Sequence, residues 1–353
     1  MSISDTNNPP DLNSRLSTFV RRALALPTET PLTLTPLTKG GSARTFYRVS
    51  GREKIRARGM LEKASFIAMH YQPEPRENTL YAGIADFLRE LGVAAPAVLA
   101  HDPEACFLLT EDLGDEDLWS HRNENWQRRR TLYKGVLEHA HRLHRYVQDD
   151  AEIPLPPLME GYDAALYKWE RDYFRREFVE GVCRVSLLPV DGKALEEEGT
   201  ALAERLLESE TGLIHRDLQS QNIMIRDGAP VLIDFQGMRS GSPFYDLGSL
   251  LYDPYVSLRA EERLELLDFY YRLSPRKLDW PTFITRFHEG SAQRLMQALG
   301  AYGFLGHRNG RADFRAHIPT GLRHLAIVTS CVSSLPCLRY LAGRCLDALS
   351  LDR

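Results

Sequence analysis

The sequence predicts an α+β chain of two lobes, a small β-rich lobe in front and a larger, mostly α-helical lobe behind it. Three observations predict it. Short apolar or alternating runs crowd the chain before Gly114, whereas long helical stripes fill most of the remainder. Between Gly212 and Tyr255 two further runs, Leu213-Ile214 and Val231-Leu232-Ile233, each deliver an acidic residue, Asp217 and Asp234, as loops hung on a small sheet would. A third run, Ile223-Met224-Ile225, is divided from the second by Asp227-Gly228, a hairpin turn.

Residues 1–30 read as a loose tail and a leading helix, with Leu12, Leu16, Phe19, Val20, Ala23 and Leu24 at helical spacing and Pro27 as the stop. Residues 31–114 form the front lobe. Leu32-Thr33-Leu34 and Phe46-Tyr47-Arg48-Val49 are strands joined across Gly40-Gly41, and Ala64 to Tyr71 is a third strand. Glu77 to Leu91 carries one apolar helical stripe and is stopped by Gly92. Two more strands come next, Val98 to Ala100 and Cys106 to Thr110, and the second runs into Glu111-Asp112-Leu113-Gly114. Residues 115–353 form the second lobe, with helices over Trp126 to Val147, Tyr162 to Val179, Ala260 to Leu273, Thr282 to Leu299, Pro319 to Ser334 and Leu338 to Leu349.

Spacing carries the chemistry. His215-Arg216-Asp217 is followed five positions after the Asp by Asn222, and Asp234 lies seventeen after it in Ile233-Asp234-Phe235. Phosphoryl transfer needs a carboxylate near the acceptor hydroxyl, a magnesium-binding carboxylate under the phosphates and a further oxygen ligand, and Asp217, Asp234 and Asn222 fit those roles in that order. A glycine pair between two strands lets backbone amides approach phosphates with no Cβ in the way, which makes Gly40, Gly41 and Ser42 a candidate phosphate loop.

The motifs HRDLQSQNIMI, IDFQG, YDLGSLLYDPY and, at Arg294 to Phe304, RLMQALGAYGF resemble the aminoglycoside phosphotransferase and choline kinase branch of the protein-kinase-like fold. Within it they are most similar to the bacterial kinases that phosphorylate the anomeric hydroxyl of N-acetylmuramate and N-acetylglucosamine. The resemblance implies ATP and Mg2+ as cofactors, a small-molecule acceptor and a role in cell-wall recycling. It also implies an adenine edge met by backbone near Glu111 and Leu113, a packing role for His215, and Asp246 tying the catalytic loop from below. The wider pattern places a lysine in the third strand, where this sequence has Met69-His70. Arg44, Arg48 and Lys63 are the alternative cations for the nucleotide phosphates. Glu77 is either the partner of such a cation or a solvated first-turn acid.

Asp234 and Asp246 are only twelve apart and no Ala-Pro-Glu comes after them, which leaves no peptide platform and favours a small acceptor over a protein. A nucleotide-binding regulatory module is the alternative that the missing lysine motivates. Beyond Asp234 the chain holds 15 Lys plus Arg against 11 Asp plus Glu, a poor wall for a polycation. Arg308, Arg311, Arg315 and Arg323 are there either to meet an acceptor carboxylate or as a solvated basic loop. His139, His141 and His144 share one helix without a carboxylate or cysteine to complete a zinc set. A net charge of -4 gives no sign of nucleic acid, and five unpatterned cysteines with no basic-then-apolar leader point to a reduced, cytoplasmic setting without a membrane span.

Overall fold

A computed structural model describes residues 10–37, 44–55, 63–149, 152–273 and 278–351. The front of the chain is one antiparallel sheet of five strands, β1 (Leu32–Leu37), β2 (Thr45–Ile55), β3 (Lys63–His70), β4 (Val98–Asp102) and β5 (Phe107–Glu111), in the order β1-β2-β3-β5-β4. Side chains alternate across it as strand geometry requires. Phe66 and Ala68 of β3 face the leading helix α1 (Pro10–Ala23), which lies over the outer face through Leu16 and Val20. The leading helix is thus part of the front lobe's own core. Met69 points the other way, into the main core with Tyr81, Ile84 and Leu88 of α2 (Tyr81–Glu90).

Past Gly114 the chain is mostly helical. It runs through α3 (Trp126–Asp149), α4 (Ala164–Tyr173), α5 (Pro189–Glu208), α6 (Pro243–Leu251), α7 (Ala260–Leu273), α8 (Trp280–Tyr302), α9 (Ala312–Arg315), α10 (Ile318–Ser330) and α11 (Pro336–Leu351). Single π-helical turns prolong α4, over Phe174–Glu180, and α8, over Gly303–Arg308. The expected small sheet is two separate ladders: β6 (Gly212–Ile214) pairs with β9 (Arg239–Gly241), and β7 (Ile223–Arg226) with β8 (Ala229–Leu232). Asp227 and Gly228, at φ 52° and 78°, make the turn between β7 and β8. Among the described residues no helix is long and apolar enough to cross a membrane.

Two helices escape a reading by periodicity. α5 carries Gly192 and Gly199 amid a run of acids, yet buries Leu202, Ala203 and Leu206, and Gly199 is where the Arg171 side chain crosses it. All nine residues of α6 are buried, so no polar face marks it as a helix.

Gly212 opens β6 against α3, and a Cβ there would stand 2.0 Å from the His144 carbonyl oxygen. Gly212→Ala is therefore expected to destabilise the fold by roughly 3 kcal/mol, the upper range for overpacking. Urea unfolding of the variant beside the parent measures it.

Candidate active site

The segment from His215 to Asn222 is a loop whose backbone donors have no ladder to join, and buried donors need partners. Asp246 of α6, with no exposed surface, accepts the N–H of His215 at 2.7 Å and of Arg216 at 2.9 Å, and faces Nε2 of His144 at 3.1 Å. Asp253, just beyond α6, accepts the N–H of Ser220 at 2.8 Å. His215 spends its ring on the backbone: Nε2 donates to the Ile233 carbonyl at 3.0 Å and Nδ1 accepts the Asp217 N–H at 3.3 Å. The ring therefore joins the catalytic loop to the strand that delivers Asp234.

Asp217 reaches the cleft with 39% of its side chain exposed. Its Oδ2 accepts from Asn222 Nδ2 at 3.2 Å, and its Oδ1 accepts from Arg294 of α8. The same Asn222 amide donates to the Asp217 carbonyl at 2.9 Å. With the nitrogen so used, the Asn222 side chain presents an oxygen. Asp234 sits in the left-handed region at φ 63°, as does Arg216 at φ 75°, a conformation uncommon for non-glycine residues. Asp234 Oδ1 accepts from Arg44 at 2.5 Å and from Gln236 at 3.0 Å. Burial alone would push the Asp234 carboxyl up, but the charge and hydrogen bond of Arg44, with Gln236 and His215, hold it below its usual value. An amide oxygen and a carboxylate are hard-oxygen donors of the kind magnesium takes, so these two side chains fit that ion in chemistry.

A cleft of about 250 Å³ joins these groups, lined among others by Arg44, Glu77, Arg216, Asp217 and Asp234. Glu77 meets Arg216 at 3.6 Å with about a quarter of its side chain exposed, so it faces the catalytic loop. Gly40, Gly41 and Ser42 lie outside the described residues, as does the side chain of Lys63, whose backbone opens β3. Arg48 is not available to phosphates. Its guanidinium grips Asp112 at 2.6 Å and Asp115 at 2.9 Å, bracing the connection between the lobes. Glu111 gives its N–H to the Ala97 carbonyl and buries its carboxylate against the Ala97 N–H and Arg226, while Leu113 is half-buried in the connection.

The late arginines do not converge on the cleft. Arg308 meets Glu177 at 3.4 Å, Arg311 meets Asp313 at 2.6 Å, Arg315 bonds the Gly306 carbonyl and Arg323 bonds Thr320, so local pairing replaces the idea of an acceptor-carboxylate site there. His144 serves Asp246 and Tyr270, and among the described residues no three His, Cys, Asp or Glu side chains cluster as a metal site would.

Residues 33–281 match the model of the phosphotransferase enzyme family. The chain belongs to that family. It is a phosphotransferase acting on a hydroxyl of a small molecule. Among its relatives is the N-acetylmuramate/N-acetylglucosamine kinase of Caulobacter vibrioides, 30% identical over 68% of this chain and 67% of that protein. The protein of the same name in Pseudomonas aeruginosa is 24% identical over 84% of this chain and 83% of its own. In fold it is similar to the choline kinase of Cryptosporidium parvum, with a TM-score of 0.60 at 12% identity, covering 94% of this chain and 99% of that one. The fold is accordingly the two-lobed, protein-kinase-like one.

Arg294, Gln236 and Asp253 touch the candidate site, on Asp217, Asp234 and the Ser220 N–H, and motif spacing did not assign them. One signal was present for Arg294: a single charge inside the otherwise uncharged run SAQRLMQALGAYG. For Asp253, burial outweighs the hydrogen bonds from Ser220 and Tyr255 and pushes the carboxyl up to about 6. A raised carboxyl pKa means that the folded state holds a proton the unfolded chain has released. That stability is complete below the ordinary value of 3.8 and is lost as pH rises through about 6. The neutral variant Asp253→Asn has nothing to lose in this window. Its stability relative to the parent is expected to rise by roughly 2 kcal/mol between pH 4 and pH 7, read from denaturant unfolding at both.

Proposed function

We propose that this phosphotransferase moves the γ-phosphoryl group of ATP to the anomeric hydroxyl of an N-acetylated amino sugar, N-acetylmuramate or N-acetylglucosamine, within cell-wall recycling. The observation that carries the chemistry is Asp217, an accessible carboxylate clamped on both oxygens and sharing one cleft with Asp234. The acceptor oxygen bonds to the γ-phosphorus as its proton passes to Asp217, and the bond to the β-phosphate oxygen breaks, releasing ADP with the electron pair. An anomeric hydroxyl is more acidic than an ordinary alcohol and asks little of such a base. The names of the two relatives support the amino sugar. Asp234 and Asn222 would hold magnesium, which supplies charge to offset that developing on the phosphates. Residues 31–114 take the nucleotide, with Gly40, Gly41 and Ser42 over its phosphates and backbone near Glu111 and Leu113 at adenine, and residues 115–353 take the sugar.

Arg44 is the phosphate cation this reading favours over Lys63, because it already reaches the metal carboxylate from the front lobe. Arg44→Ala is expected to weaken ATP binding by about ten- to a hundredfold, the worth of one charged hydrogen bond, in a calorimetric titration.

Release of ADP from magnesium-ATP, measured with N-acetylmuramate, N-acetylglucosamine, plain hexoses, choline and an aminoglycoside, tests the acceptor. Release confined to the two N-acetyl sugars, with an acid-labile sugar phosphate, is expected; activity on choline or the aminoglycoside instead replaces the acceptor. Asp217→Asn is expected to lower turnover by about 10²–10⁴-fold while ATP still binds. Unchanged turnover removes Asp217 from the mechanism.

A further inference from the structure

Both oxygens of Asp217 are held, and the two holders differ in kind. Asn222 sits on the same loop and would also serve the metal. Arg294 comes from α8, seventy-seven residues on, and is fixed from every side. Its side chain is 8% exposed, Nε donates to Ser249 Oγ at 3.1 Å, Nη1 donates to Gln297, and the guanidinium carbon stands 5.9 Å from the centre of the Tyr245 ring.

A guanidinium set this deep needs a carboxylate. Two fully buried acids lie within its field, Glu170 and Asp253, and either would be the better partner for an arginine that served packing alone. Among the described residues it instead pairs with Asp217, the partly exposed acid that lines the cleft. Glu170 is committed elsewhere, to the hydroxyls of Tyr162 and Tyr245 and to Gln293.

We propose that Arg294 is the positioning residue of this phosphotransferase: anchored by Ser249 and Gln297, it fixes the plane of the Asp217 carboxylate in the orientation from which it takes the acceptor's proton. The inference rests on reading Asp217 as the base. A carboxylate on a loop otherwise turns about two side-chain bonds, and a misplacement on the order of 1 Å can lower a rate about a hundredfold.

A double-mutant cycle tests it, using whichever acceptor of the panel the parent turns over, with ATP affinity and thermal unfolding followed in each variant. Arg294→Met is expected to lower kcat by about a hundredfold with KM for ATP within about threefold of the parent. Arg294→Lys should recover part of the loss, and adding Arg294→Met to Asp217→Asn should slow the enzyme no further. Losses that multiply in the double variant, an unchanged kcat in Arg294→Met, or a loss explained by weaker ATP binding would each overturn the proposal. If Arg294→Met does not fold, Ser249→Ala decides, because it loosens only the Nε anchor: a severalfold fall in kcat at constant ATP affinity supports the role and an unchanged kcat overturns it. Asp217→Asn at full turnover would sink the base itself, a result separate from any of these.

Discussion

Backbone donors of the catalytic loop must be met by something other than a sheet, and two buried carboxylates meet them. Asp246 takes the N–H groups of His215 and Arg216, and Asp253 takes that of Ser220. Both come from one short segment in which Tyr-Asp recurs at Tyr245-Asp246 and Tyr252-Asp253. That segment is in turn pressed onto α8 with little room for a side chain between them. A Cβ on Gly248 would come within 2.6 Å of Ser291, and one on Gly290 within 2.6 Å of Phe244. The loop thereby takes its rigidity from a packed pair of helices, which a loop of its own length could not supply.

The contacts that hold the loop from behind differ from those that cross the cleft. Arg44 on Asp234 and Glu77 on Arg216 are ion pairs between the front lobe and the catalytic segments. A polyphosphate offers Arg44 a rival anion, and a cation offers Asp234 a rival partner, so this bridge can be exchanged for substrate. Asp246 and Asp253 are themselves buried behind the loop and have no such rival. Arg294 belongs with the second group by its anchors and with the first by the residue it touches.

The part of the site legible in the sequence was local. His215, Asp217, Asn222 and Asp234 act within one loop-and-hairpin unit, so their spacing in the chain fixes their geometry, and α7 begins and ends where its periodicity placed it. The part that stayed hidden depends on which partner each charge takes. Arg48 has the look of a phosphate ligand until Asp112, sixty-four residues later, claims it. The late arginines look like one basic patch until each is seen beside its own neighbour. Arg294 reads as part of an apolar helix, since only the packing of α8 on α6 shows that it ends at Asp217. Charge on a sequence carries no address; burial and a partner give it one.

The missing strand lysine has the same explanation. On β3 Met69 lies in the main core with Tyr81 and Leu108, 2% of its surface exposed. A lysine placed there would be a buried charge, and Glu77, just ahead of α2, is turned to Arg216. Just before β2, Arg44 lies over the Phe46 ring and reaches Asp234, a cation on the front lobe at the cleft. An apolar strand, an acid turned to Arg216 and an arginine on Asp234 are therefore three parts of one arrangement. Restoring lysine at position 69 alone would give it a charge with no partner and leave Arg44 where it stands.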